Sequence, residues 1–363
     1  MAPDGFSVDT AVEAVEAAIA AKKLSLLEAA YHDLASAPTD VLAAHSATIG
    51  PRLTALLPEM PQWHSAVYAV FVGALVEWQA DAVACAPPIL DGLQESLEDA
   101  IEFARLWRNR FGEDAELPEP TEMPSEEVQD RLGPDFGDVW HAPYFGWHTV
   151  HKWEMAAVAV LADRRVRRGL TNRDELLALI DRLEPDYGDL RCVQWALLLL
   201  DEEPLLVLDR ASGRAFRMRM SGIAGNYQLQ TLLAGALIGG GHLPGTAPSA
   251  EAVALSSVAE IDMKALDELP HTVECFNFAE PSGRWIWGES TPSRIPVVDG
   301  IRRLVLDPPV FTHAYQAVRF LPRVPGRLDL EEILEPAEAA PYFAGVQELM
   351  SVQEASRLAA DGY

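Results

Sequence analysis

The hydrophobic period of this chain changes near residue 200, and that change limits the folds open to it. Before it, apolar residues recur at helical spacing. From Pro204 onward come short apolar runs and strict alternation, with Phe216, Met218 and Met220 on one face of Arg214 to Met220 and Arg217 and Arg219 on the other. A pattern of period 3.6 does not fit a pleated strand, nor an alternating one a helix. The chain therefore reads as a mostly helical α+β protein. An N-terminal helical bundle or solenoid-like domain precedes a small, largely antiparallel sheet with packed helices.

At 363 residues the chain is long enough for two or three units. Composition shifts place the divisions. Residues 1–111 read as a helical domain and 112–138 as an acidic, Pro-rich linker or ordered loop holding Pro118, Pro120, Pro124, Pro134 and a single basic residue, Arg131. Residues 139–200 read as a helical segment and 201–363 as the α+β domain.

Within the first part, Thr10 with Glu13 and Ser25 with Glu28 have capping-box spacing, while Pro51 and Pro61 punctuate. Trp63 to Trp78 is apolar on nearly every side and reads as a central helix. A further helix runs from Pro88 to Phe111, with Leu90, Leu93, Leu97, Ile101 and Ala104 as its inward stripe. After the linker a helix is expected from Trp147 to Arg168, then one opened by Thr171 and Asp174, then Cys192 to Leu200. Arg164, Arg165, Arg167 and Arg168 suit a helix C-terminus, where cations oppose the dipole, although an anionic ligand is a second reading. Beyond the hairpin at 204–220, helices are expected over Asn226 to Ile238 and Ala250 to Leu269. A second hairpin over Val273 to Trp287 turns at residues 280–283, and strands follow at Arg303 to Asp307 and Ala317 to Leu321. Helical turns close the chain at 335–343 and from Ser351, which has capping-box spacing to Glu354.

Several functions are set aside by composition. Acidic residues outnumber basic ones 55 to 28, for a net charge of -27, which repels nucleic-acid phosphates and anionic membrane surfaces. The most apolar run, Ala66 to Val76, is about half the ~20 residues that span a bilayer. The first residues lack the basic and apolar regions of a secretory signal, and Cys85, Cys192 and Cys275 read as reduced, buried thiols, so the expected location is the cytoplasm. Phosphate-loop, GxGxxG and GxSxG signatures are absent, so no nucleotide-cofactor motif is present. Gly239-Gly240-Gly241 follows a helix, not a strand, and reads as a helix stop. Asp209 and Asp307 each end an L-V-L-D run, where aspartate is catalytic in some folds and a turn former in many.

The densest chemistry lies in Val139 to Met155. His148 and His151 are three apart and Glu154 three further on, a set that could hold a divalent metal, with His141 brought in from the preceding residues. The same histidines could act as general acids or bases in a pocket walled by Trp140, Tyr144, Trp147 and Trp153. The alternative is that these rings simply close a core. Elsewhere, Arg217 and Arg219 could hold an anionic group, and Trp285 and Trp287, two apart in a strand, would share one face as an aromatic platform.

Residues 221–239 (SGIAGNYQLQTLLAGALIG) and 283–289 (GRWIWGE), with the LVLDPP run from Leu304, resemble segments of uncharacterised actinobacterial proteins. The resemblance implies a bacterial accessory of specialised metabolism and carries no catalytic residue. Two functions thus stay open. One is an enzyme acting on a small organic or peptidyl substrate through the histidines; the other is a non-catalytic protein that binds a small molecule, peptide or protein partner. The oligomeric state is not legible.

Overall fold

The computed structural model describes residues 7–120, 126–133, 139–261 and 268–360. It is mostly helical with a mixed sheet, the α+β class expected. The chain divides into two compact units, Met1–Leu197 and Leu198–Tyr363. Among the described residues no helix is long and apolar enough to cross a membrane.

The first unit is built from α1 (Val8–Ala20), α2 (Leu24–Ala35), α3 (Thr39–Leu56), α4 (Gln62–Glu77), α5 (Ala82–Phe111), α6 (Glu126–Leu132), α7 (His141–Leu161), α8 (Arg164–Gly169) and α9 (Arg173–Tyr187). Its last helix is α10 (Arg191–Leu198). The helix starts correct the motif reading. Ser7 caps α1 by accepting from the Thr10 N–H at 3.4 Å, three residues ahead of the Thr10/Glu13 pair. α2 begins behind Lys23 and α9 behind Asn172, neither with a side-chain cap, so Ser25/Glu28 and Thr171/Asp174 are spacing coincidences. The apolar stripe decides instead: Val8, Ala11, Val12 and Val15 are all buried.

Pro51 lies inside α3, and α5 starts at Ala82 rather than Pro88, with Asp81 accepting from the Val83 N–H at 3.2 Å. Proline removes a donor from a helix, but it does so near the start of α5, whose face of Cys85, Ala86, Ile89 and Leu90 is buried. α7 likewise begins at His141, not Trp147, and packs along α5 and against α4. It ends at Leu161. The arginine cluster forms the separate α8, capped by Asp163 on the Arg165 N–H at 2.7 Å. Buried Arg167 donates through Nη1 to Leu161 O at 2.6 Å and Ala162 O at 2.9 Å, carbonyls that the end of α7 leaves without helical partners.

The described part of 112–138 is held on this unit's helices. The indole N–H of Trp107 donates to Glu116 O at 3.0 Å, that of Trp147 to Pro118 O at 2.9 Å, and Arg131 lies 4.8 Å over the Trp107 ring. Pro124 and Pro134 lie outside the described residues. Of the three cysteines only Cys85 is buried; Cys192 is exposed and Cys275 half-buried, a correction to the expectation for all three.

The second unit contains β1 (Glu203–Asp209), β2 (Arg214–Ser221), α11 (Asn226–Leu237), α12 (Ala250–Ser257), β3 (His271–Val273), β4 (Asn277–Ala279) and β5 (Val297–Val298). β6 (Ile301–Asp307), β7 (Ala314–Gln316), β8 (Arg327–Leu334), α13 (Pro336–Phe343) and α14 (Val352–Ala360) follow. The main sheet has the order β4-β6-β1-β2-β8, with β5 also on β6; β1 and β6 run parallel and the other pairs antiparallel. β1 and β6 carry the two L-V-L-D runs. Both faces of these central strands are buried, which is why the runs are continuous rather than alternating. Leu205, Val207, Leu304 and Leu306 pack with Leu229 and Leu233 of α11, while Leu206, Leu208 and Val305 face Ala339 of α13.

Three expectations are revised. β8 went unread because Glu331-Glu332 interrupt the alternation of R-L-D-L-E-E-I-L, where the pairing with β2 shifts register, and its polar positions are charged, as befits an edge strand. The strand expected at 317–321 is β7 at Ala314–Gln316, paired with β3 in a separate two-stranded sheet. α12 stops at Ser257, and residues 262–267 of the helix expected to Leu269 lie outside the described residues. The final capping box is present: the Ser351 N–H donates to Glu354 Oε2 at 3.1 Å and the Glu354 N–H to Ser351 Oγ at 3.4 Å.

Candidate functional site

The structure disperses the α7 residues singled out from the sequence. His148 is 3% exposed and packs edge-on to Tyr144, ring centroids 4.8 Å apart. His151, three residues later, is on the exposed side, its Nδ1 3.0 Å from Glu154 Oε2. His141 is exposed and packs on Phe145 at 4.9 Å. Among the described residues no three His, Cys, Asp or Glu side chains gather to hold a metal ion.

Trp140, Tyr144, Trp147 and Trp153 are all buried. The first three surround Phe103 of α5, with ring centroids 5.9, 6.2 and 5.3 Å from it. Trp153 lies over Gly92, where an added Cβ would meet its ring at 2.4 Å. The aromatic wealth of α7 is thus the packing of one helix pair, and a helix that presents large rings to a close neighbour needs a small residue opposite. Glu154 is the one charged member of this buried set. Desolvation raises its carboxyl above the ordinary range, against the Val193 N–H at 3.3 Å and His151, which favour the ionised form.

The arginines of β2 are likewise occupied. Arg217 Nε is 2.9 Å from Glu332 and its Nη2 donates to the Tyr342 hydroxyl at 2.6 Å; Arg219 Nε is 2.6 Å from Glu331. Cross-strand pairing with the acidic β8 accounts for them without an anion. Asp209 accepts from the Ser212 N–H at 2.8 Å in the hairpin turn, and Asp307 pairs with Arg210 at 2.6 Å, so both L-V-L-D aspartates hold local structure.

The expectation for Trp285 and Trp287 leads to a cavity of about 340 Å³ within the second unit. The turn closes as read, with Glu280 N–H donating to Arg284 O at 2.8 Å, although pairing thereafter is a single bridge between Ala279 and Trp285. Their rings are neighbours, centroids 5.4 Å apart at 47°, and Phe311 stands 6.2 Å from Trp285. The Trp285 indole N–H is fixed by Met350 O at 2.9 Å, while Trp287 stays 39% exposed. Together with Phe276 and Phe278 these rings form the apolar wall.

The first turns of α11 supply the polar wall. Asn226 donates through Nδ2 to Trp287 O at 2.9 Å, and Gln230 through Nε2 to Phe276 O at 2.6 Å. Those carbonyl partners fix which end of each amide is the donor. Asn226 and Gln230 are 0% and 3% exposed, and neither Asn226 Oδ1 nor Gln230 Oε1 accepts a hydrogen bond among the described residues. Buried amide oxygens without a donor are uncommon and costly.

Between these walls lie Tyr227, Glu274, Glu289 and His313. The Tyr227 hydroxyl donates to Glu289 Oε1 at 2.8 Å and lies 3.4 Å from His313 Nδ1, which is 3.9 Å from Glu274 Oε2. Tyr227 stacks on Tyr315 at 4.6 Å, and Gly288 admits it: a Cβ there would stand 2.2 Å from its ring. Burial pushes the Glu274 carboxyl up, opposed by His313 and reinforced by Glu289. The Tyr227 hydroxyl is also pushed up, by burial first and then by its bond to Glu289. The arrangement can accept hydrogen bonds and protons beside an apolar surface.

Sequence reasoning found the two tryptophans of this cavity and missed Asn226, Tyr227, Gln230, Glu274, Glu289, Phe311 and His313, which come from four separate stretches. Only the G-R-W-I-W-G-E run, with Glu289 two residues beyond Trp287, offered a local signal. Compared with known proteins, the chain matches no protein-family model, no curated protein and no solved structure.

Proposed function

We propose that the second unit is a ligand-binding module whose cavity takes a small organic molecule, or one side chain of a peptide, with an apolar body and a polar end. The carrying observation is the division of a cavity of about 340 Å³ into an aromatic wall, centred on Trp285 and Trp287, and a polar side lined by Asn226, Tyr227, Gln230, Glu274, Glu289 and His313. Binding sites of small molecules are of this size and combine apolar surface with a few placed polar groups. Saturation-transfer NMR with a mixed panel of small aromatic and aliphatic compounds tests it. Binding that is lost in Trp287→Ala supports the proposal; no binding, or binding indifferent to that substitution, overturns it.

A second reading is an enzyme acting on the same ligand. It is favoured by Glu274, a cavity-lining carboxyl raised by burial, which suits it to give or take a proton. In that case Glu274→Gln retains binding and abolishes turnover. The placement in bacterial specialised metabolism rests only on the resemblance of residues 221–239 and 283–289.

A further inference from the structure

We infer that the ligand of this cavity is an organic cation, an ammonium or guanidinium on an apolar body, held between Glu274 and Glu289. The inference rests on the ligand-binding reading above and adds the charge and hydrogen-bonding character of what binds.

Four observations converge on it. Two carboxylates, Glu274 and Glu289, line the cavity, and no lysine or arginine does among the described residues. Burial raises the cost of ionising Glu274 and the neighbouring Glu289 adds to it, a cost that a bound cation relieves. The lining carboxylate oxygens of Glu274 and Glu289 are acceptors. An ammonium offers donors and no acceptor, so it matches them. The aromatic wall is the surface on which a cation loses least by leaving water, because ring faces carry negative potential.

Two features oppose a cation, and neither outweighs the carboxylates. The N-terminus of α11 brings partial positive charge of roughly half a unit, against two full negative charges. His313 is the one lining side chain that can turn positive, and it lies beyond hydrogen-bond length of Glu274, at 3.9 Å. The net charge of -27 adds a long-range attraction for cations over the whole molecule, so the test must separate a specific site from that background.

The experiment is isothermal titration at pH 8 and 0.15 M salt with matched pairs: phenethylamine against phenethyl alcohol, and tryptamine against tryptophol. A peptide arm sets acetyl-Gly-Lys-Gly-amide and acetyl-Gly-Arg-Gly-amide against acetyl-Gly-Gln-Gly-amide. The amine and alcohol of each small-molecule pair share an apolar body, so their ratio isolates the charge; the glutamine peptide is an uncharged polar reference for the peptide arm. The expected result is a preference for the cation of at least about tenfold in one arm. That arm tells whether the source is a free amine or a basic side chain. The preference should shrink severalfold in Glu289→Gln, whose side chain is exposed, and vanish in Glu274→Gln/Glu289→Gln.

Neutral partners that bind as tightly as the cations overturn the cationic ligand and leave the cavity reading standing. A preference that survives in the double variant overturns it too, by tracing the effect to the general negative field. If no compound of any kind binds, both readings fall.

Discussion

The helix α7 and the cavity beside α11 invert the order in which the sequence ranks them. The seventeen residues from Val139 to Met155, at the start of α7, concentrate three histidines and five large aromatic rings, and the structure uses most of those rings to pack against α5. The cavity draws single residues from four stretches that look unremarkable in sequence, and there the polar groups stay accessible or unpaired. The difference has a physical origin. Residues close in sequence on one helix point around its axis, so few of them can face a common point, whereas convergence of polar groups requires several elements to end at one place. Density of reactive side chains along a helix is therefore evidence for packing before it is evidence for chemistry.

The sharpest way to break this contrast is to truncate one ring on each side of it. Trp147 is fully buried and its indole N–H holds Pro118 O, so Trp147→Ala should cost the first unit about 3–5 kcal/mol. Denaturant unfolding monitored by circular dichroism reads that loss; a cost below about 1 kcal/mol would mean that α7 is loosely packed and free to form a pocket. Gly288→Ala comes next, at about 1–3 kcal/mol, because its Cβ would overlap Tyr227 and force the ring off Tyr315. The same variant should weaken ligand binding. Unchanged stability and binding would show that the Tyr227 ring moves aside freely and takes no fixed part in the cavity.

Trp287→Ala sharpens the comparison from the other side. The ring is 39% exposed and lies at the mouth of the hydrophobic wall, so its loss should cost about 1 kcal/mol or less in stability. Binding, in contrast, should fall by about tenfold or more. A residue whose removal harms function far more than folding marks a site; the reverse ratio at Trp147 marks a core.

How much of this was legible follows from which physical signals are local. The hairpin of β1 and β2, α11 and the fold class were readable because alternation and helical period are properties of contiguous residues. The Trp285/Trp287 pair was readable in part: the two rings are neighbours, but the segment pairs through a single bridge rather than a strand, and Trp285 is buried instead of lying on an exposed platform. Helix starts were read badly: Thr10/Glu13, Ser25/Glu28 and Thr171/Asp174 match a capping motif, yet burial of neighbouring apolar residues set the boundaries elsewhere. Glu274 and His313 are 39 residues apart and meet because the Glu274 N–H donates to His313 O in an extension of the β3–β7 pairing, information that no local pattern contains. His148 and His151 share a spacing but not an environment, because three residues along a helix turn a side chain by about 60° from its predecessor, enough to send one inward and the other to solvent.

The smallest effect tests the interior of α7 most directly, and it is a matter of sign. Desolvation raises the Glu154 carboxyl in the folded state, and the groups facing it are His151, the Val193 N–H and, as a like charge, Asp189. A carboxyl raised on folding binds its proton more tightly in the native than in the unfolded chain. Its contribution is therefore fully present below the ordinary carboxylate range and is lost as pH rises through the raised native value. Glu154→Gln cannot ionise, so its melting temperature should gain on that of the wild type as pH rises from 4 toward 8, with the gain flattening once Glu154 is ionised in both states. A gap that moves the opposite way would mean that the bond to His151, 3.0 Å long, outweighs burial and holds Glu154 as a stabilised anion. That result would return the His151–Glu154 pair to consideration as a charged group kept ready for chemistry, which is what its spacing first suggested.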